Sequence, residues 1–209
     1  MKILIIDDHA IVRRGMISLL QEHLKEVEFG EAGNARDGLS AVTQESWDLV
    51  VLDISMPGRS GLELIQEVKR ERPAVPVLVV SSHSERDYAL RALKSGASGY
   101  VSKQSAADVL VAAVQRVLSG RRFISVALAE QLAGALAGES SGTSHESLSN
   151  RELQVLQLIA TGKTIKEISS DLSLSEKTVA TYRSRIAEKM RLTSNVDLTR
   201  YAMQHGLVE

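Results

Sequence analysis

The chain has 209 residues, 44% of them hydrophobic, with 25 Lys/Arg against 26 Asp/Glu for a net charge of -1. This is a globular composition, and the absence of cysteine excludes disulfides, thiol nucleophiles and thiolate metal sites together. No apolar run approaches the ~18 to 20 residues of a membrane span, and Met1 to Ile6 lead into Asp7 and Asp8 without a secretory pattern, so a cytoplasmic protein with no membrane partner is expected.

Short apolar runs alternate with amphipathic stretches over residues 1–122, the βα pattern of a parallel sheet covered by helices. Lys2 to Ile6 reads as a strand, followed by helical spacing at Val12, Met16, Leu19 and Leu20. Val27 to Glu31 alternates apolar and polar residues, which suits an edge strand. Leu49 to Leu52, Val77 to Val80 and Gly99 to Val101 are further strands, with helical stripes at Leu62, Ile65 and Val68 and at Leu110, Val114 and Val117. Four of the five strands are solidly apolar, as strands buried on both faces should be. One α/β domain with a five-stranded, doubly wound parallel sheet is predicted.

Residues 125–136 are rich in alanine and leucine and predict a helix, whereas 138–147 carry almost nothing to bury and read as flexible; together they make a linker over 123–147. From 148 to 209 the signals are all helical. Ser149 and Glu152 form a capping box with Leu148 and Leu153 as its hydrophobic staple, and Gly162 ends that helix. Thr164 and Glu167 repeat the box for a second helix reaching Asp171; Ser175 caps a third reaching Met190, and 195–204 supply a fourth. Two short helices joined by a tight turn, the second polar and basic, are the layout of a helix-turn-helix. The charge divides with the domains, -3 over residues 1–147 and +2 over 148–209.

Ligands of an open parallel sheet bind beyond the carboxyl ends of the strands. There the first strand delivers Asp7 and Asp8, the third Asp53, the fourth Ser81, and the fifth leads through Tyr100 to Lys103. Carboxylates in such a group repel one another, and a hard divalent cation relieves the repulsion; Mg²⁺ fits because it accepts few carboxylates and bridges to phosphate. Asp53 can then attack a phosphoryl group, with Lys103 as a second cation and Ser81 as a hydrogen-bond donor to the new phosphate. The five histidines are scattered without ligand spacing.

These elements, Ile5-Ile6-Asp7-Asp8-His9, Val50-Val51-Leu52-Asp53-Ile54-Ser55-Met56-Pro57-Gly58-Arg59-Ser60-Gly61, Val79-Val80-Ser81-Ser82 and Gly96-Ala97-Ser98-Gly99-Tyr100-Val101-Ser102-Lys103, resemble the receiver domain of two-component response regulators over residues 1–122. The resemblance implies a flavodoxin-like sheet of order 2-1-3-4-5, with Asp53 as phosphate acceptor. It implies Mg²⁺ held by Asp8, Asp53 and the backbone carbonyl of Ser55, with Asp7 acting through water. Ser81 and Tyr100 match the switch pair, in which the hydroxyl moves toward the phosphate and the ring follows inward. The family often has proline after the lysine, where Gln104 stands here.

The helix over 176–190 has an apolar stripe at Val179, Tyr182, Ile186 and Met190, and an opposite face of Lys177, Ala180, Thr181, Ser184, Arg185 and Glu188. Small, polar and basic side chains suit entry into a major groove. Leu148-Ser149-Asn150-Arg151-Glu152, Ala160-Thr161-Gly162-Lys163, Lys166-Glu167-Ile168, Leu172-Ser173-Leu174-Ser175, Lys177-Thr178-Val179 and Ile186-Ala187-Glu188-Lys189-Met190 are similar to the LuxR-type four-helix domain of the NarL/FixJ class. By that likeness Lys166 and Thr178 lie near phosphates, and Ala180, Thr181 and Ser184 face bases. Many members have lysine at Ala180 and histidine at Tyr182, so Lys177, Arg183 and Arg185 are expected to carry more of the affinity. The implied protein is a transcriptional regulator, not an enzyme: a histidine kinase or small phosphodonor modifies Asp53, and the change frees the output domain or pairs two chains as a homodimer on double-stranded DNA. A phosphatase that turns over an aspartyl phosphate, and a DNA-binding protein whose receiver is only a dimerisation module, are the rival readings.

Overall fold

The computed structural model describes residues 1–208 apart from 58, 59, 84, 106 and 137–143. It resolves into two compact units, one built from Met1–Met56 and Gly61–Leu132, the other mainly from the chain from Ala133 onward.

Up to Leu136 the order is β1 (Lys2–Ile6), α1 (Ala10–His23), β2 (Glu28–Ala32), α2 (Ala35–Gln44), β3 (Leu49–Leu52), α3 (Gly61–Glu71), β4 (Val77–Ser81), α4 (Glu85–Lys94), β5 (Gly99–Ser102), α5 (Ala107–Leu118) and α6 (Val126–Leu136). All strand pairs are parallel, in the order β2-β1-β3-β4-β5. Side chains alternate across a strand, so Ile3, Ile5, Leu49, Val51, Leu78, Val80 and Val101 share one face. They form a buried core with Met16 and Leu20 of α1 and Leu110, Val114 and Val117 of α5. Strands β1, β3 and β4 are buried along nearly their whole length, and β2, with its exposed Glu28 and Glu31, lies at the edge.

Register carries the functional consequence. Ile6 pairs with Leu52, so the residues one step beyond, Asp7 and Asp53, leave neighbouring strands side by side, and Asp53 N still donates to Ile6 O at 2.8 Å. Likewise Ser81 pairs with Ser102, and Lys103 N donates to Ser81 O at 2.8 Å. Gly61 lets α3 begin tightly against the loop after β3, because a Cβ there would lie 2.3 Å from Ile54 Cα.

The second unit holds a 3₁₀ turn (Ser144–Ser147) and helices α7 (Asn150–Ala160), α8 (Ile165–Asp171), α9 (Glu176–Met190) and α10 (Asn195–Gln204). Both capping boxes form, at Ser149/Glu152 and Thr164/Glu167, and Ser175 caps α9 through Thr178 N. Gly162 ends α7 at φ +84°, a conformation that costs glycine little. Leu148 and Leu153 are buried as a staple requires. No helix among the described residues is long and apolar enough to cross a membrane.

The expected flexible stretch needs one correction. Residues 138–143 lie outside the described residues, but 144–147 form the 3₁₀ turn, and His145 is buried there with Nδ1 2.9 Å from Tyr201 Oη. A polar composition concealed this anchor because a single imidazole supplies it.

Candidate functional site: an acidic pocket and a recognition helix

Four strand ends, those of β1, β3, β4 and β5, deliver the pocket. Asp7 and Asp53 are buried and Asp8 is partly exposed, while Lys103 reaches in from the end of β5. Its Nζ lies 2.6 Å from Asp7 Oδ2 and 2.7 Å from Asp53 Oδ2. Asp53 Oδ1 accepts from Ser55 N at 2.8 Å, and Asp7 Oδ1 accepts from His9 N at 2.7 Å. Ser55 Oγ and Ser81 Oγ share a hydrogen bond of 3.0 Å, and His83 N donates to Ser81 Oγ at 3.2 Å. Tyr100 Oη donates to His83 O at 2.8 Å, so both members of the expected switch pair are tied to one residue of the β4–α4 loop. The Tyr100 ring is already buried, held inward by that bond.

Ligand atoms of Asp7, Asp8, His9 and Asp53 all lie within 4.8 Å of one another. Asp8 Oδ1 is buried with His9 Nδ1 at 3.0 Å, yet receives no well-directed hydrogen bond from a described residue. Three carboxylates face one ammonium, and an excess of buried negative charge with hard oxygen donors fits a divalent cation. Burial alone pulls the Lys103 pKa down; the hydrogen bonds its ammonium donates to Asp53 and Asp7, together with their charges, outweigh it, and the net shift is upward.

In the second unit Val179, Ile186 and Met190 of α9 are buried and Tyr182 is half-buried, so the predicted stripe faces inward. Lys177, Thr181, Ser184 and Arg185 are exposed, Ala180 is half-buried, and Lys166 is exposed on α8. The hydroxyls of Thr181 and Ser184 donate to the carbonyls of Lys177 and Ala180, and Thr178 closes the N-cap on Ser175. Arg183 points elsewhere: its Nε donates to Asn195 Oδ1 at 2.8 Å and its Nη2 to Thr193 O at 3.2 Å.

Residues 3–115 match the family described as "Response regulator receiver domain", and residues 146–202 match "Bacterial regulatory proteins, luxR family". The chain is a response regulator. It is 36% identical to the response regulator GacA of Pseudomonas aeruginosa, over all of this chain and 98% of that protein. It is 35% identical to the response regulator UvrY of Escherichia coli K12, over 98% of this chain and 94% of that one. A structure of RcsB from Salmonella enterica serovar Typhimurium, bound to the rprA promoter in the presence of the phosphomimetic BeF₃⁻, is similar at a TM-score of 0.71 with 26% identity, covering 96% of this chain and 97% of that one.

This response regulator, of the NarL/FixJ class, thus joins a receiver to a LuxR-type helix-turn-helix domain, and both matched modules are regulatory. Where many receivers carry proline, its Gln104 amide donates to Ser102 Oγ at 3.2 Å, a bond proline cannot make. Two pocket neighbours escaped sequence reasoning. His9 sits directly after the paired aspartates, and its Nδ1 approaches both of them, at 3.3 Å and 3.0 Å. Arg13, one helical turn along α1, donates to Asp7 O at 2.6 Å and pairs with Glu31 at 2.9 Å. The His9 signal was available in the Asp-Asp-His run; Arg13 required knowing which way α1 faces.

Proposed function

We propose that this response regulator takes a phosphoryl group on Asp53 from a sensor histidine kinase or a small phosphodonor, and that the modification controls binding of double-stranded DNA by α8 and α9. The observation that carries the reading is the Lys103 ammonium bridging Asp7 and Asp53, two carboxylates from adjacent parallel strands.

In this reading an Asp53 carboxylate oxygen attacks phosphorus as the bond to the donor's nitrogen or oxygen breaks, and the leaving group departs with that electron pair. Asp7, Asp8, Asp53 and the carbonyl of Ser55 would hold Mg²⁺, which when bound neutralises charge on the phosphoryl oxygens. Lys103 stays protonated and supplies a fixed positive charge to the acyl phosphate. The Ser81 hydroxyl exchanges its bond with Ser55 for one to a phosphate oxygen, and His83, tied to both Ser81 and Tyr100, passes that shift into the loop before α4. The RcsB relative, whose structures include two dimers bound to two DNAs, supports a phosphorylated homodimer placing two α9 helices on two half-sites.

Asp53→Asn keeps the shape and removes the nucleophile. Label from a phosphodonor such as acetyl phosphate should fall to background in this variant, and in the wild type with excess chelator; undiminished labelling of the variant would overturn the assignment. For the output, selection of bound sequences from random duplexes should enrich one motif more strongly with BeF₃⁻ than without it.

A further inference from the structure

We propose that Arg183 is a positioning residue that clamps the recognition helix to the start of α10, and is not itself a DNA contact. The inference rests on the DNA-binding reading above and deepens it, because it says what fixes the angle at which α9 meets a duplex.

Arg183 lies on α9 between the apolar stripe and the exposed basic face, and its guanidinium leaves α9 altogether. Nε donates to Asn195 Oδ1 at 2.8 Å, and Nη2 donates to Thr193 O at 3.2 Å. These acceptors belong to the α9–α10 turn and the first residue of α10. The turn begins with Arg191 in the left-handed region at φ 56°, so the chain reverses within a few residues and Thr193 presents a carbonyl outside any helix. A planar guanidinium presents its N–H donors to two acceptors in a rigid fork; an ammonium at the end of a flexible stem imposes no such fixed geometry.

Packing explains why this contact matters for reading DNA. Helix α10 packs against α7, and α7 packs against α9, so α10 belongs to the frame on which α9 rests. The buried side chains Val179, Ile186 and Met190 fix the depth of α9 in that frame. Rotation about the helix axis is resisted less well by a short apolar stripe, and a lateral tether near the middle of the helix resists it directly. Ala180, Thr181 and Ser184 would sweep across base edges if α9 rolled, so the clamp controls discrimination. A guanidinium occupied on two sides is turned away from phosphate neutralisation, which falls to Lys166, Lys177 and Arg185.

The full chain distinguishes these roles through Arg183→Lys and Asn195→Ala, separately and together, with Arg183→Ala as the variant that also removes the charge. Each is measured by affinity for the duplex enriched by the wild type from a random pool, for a scrambled duplex, and across a salt series. A clamp predicts that both single variants lower the ratio of selected to scrambled affinity by about threefold to tenfold. It predicts also that the double variant adds little to either single one, and that the salt slope is unchanged. Amide exchange at residues 192–195 should quicken in both variants without any DNA present. Retained discrimination in Arg183→Lys, or a slope that falls by about one in Arg183→Ala while Asn195→Ala behaves as wild type, would make Arg183 a phosphate contact and overturn the inference. Failure of the wild type to retain any duplex would defeat the function beneath it, and unchanged amide exchange would defeat the clamp alone.

Discussion

At the scale of single residues, the pocket depends on close approach as much as on charge. Gly61 illustrates this, since a methyl group there would meet the backbone of Ile54, one residue after Asp53. Backbone cannot swing aside as a side-chain tip can, so either α3 or the loop carrying Asp53 and Ser55 must shift. Gly61→Ala should therefore destabilise the receiver by about 1 to 3 kcal/mol and slow labelling of Asp53, which thermal unfolding and phosphodonor labelling would register together. A variant with wild-type melting and labelling would show that the loop yields without cost. Lys103 makes a complementary point. Its raised pKa means that the stability linked to its protonation is present below about 10.4 and is lost as pH rises through the higher folded value, so Lys103 is a fixed cation at neutral pH.

At the scale of elements, the strands and output helices were legible in the sequence because their signals are local. Solid apolar runs mark β1, β3 and β4, and the start of every helix from α7 to α9 is announced by a cap residue whose side chain makes the expected bond. Helices α2 and α4 carry weaker sequence signals. Alanine, glycine and polar residues dominate α2, and α4 has a strongly polar mean composition, so neither displays a wide apolar stripe. Strand ends also moved by a residue: β2 covers Glu28–Ala32 and β4 extends to Ser81. The pocket residues were readable because strand register alone gathers them, whereas the direction taken by Arg183 was not, since sequence spacing places it beside the exposed face and only the turn after α9 supplies its acceptors. Glu152 offers an element-scale test. It is buried, accepts from Ser149 N at 2.7 Å and pairs with Lys189 Nζ at 2.6 Å, linking the start of α7 to α9. Burial by itself raises its pKa, but the bonds from Lys189 and Ser149 overcome that and hold the carboxyl below the usual range. The stability it contributes is thus present above about pH 4.3 and is lost as pH falls through the lower folded value. Glu152→Gln should lower the output domain's stability at pH 7 by about 1 to 2 kcal/mol and flatten its acid-unfolding profile below pH ~4.3, as followed by circular dichroism.

At the scale of the whole molecule, the charge balance constrains how DNA can be held. A net charge of -1 gives no general attraction to a polyanion, so affinity must come from the few cations placed on one surface of a domain whose own balance is only +2. Lys166, Lys177 and Arg185 are exposed on α8 and α9, and Arg183 is directed to Thr193 and Asn195. Each phosphate neutralised releases counterions and adds roughly 0.9 to the slope of log affinity against log salt. Neutralising Lys177 and Arg185 together should therefore reduce that slope by about two and weaken binding to selected and scrambled duplexes alike, in contrast to the loss of discrimination assigned to the clamp. Fluorescence anisotropy over a salt series provides both quantities in one titration. A slope equal to that of the wild type would mean that these two cations never meet phosphates, and that the duplex lies across a different surface of the domain.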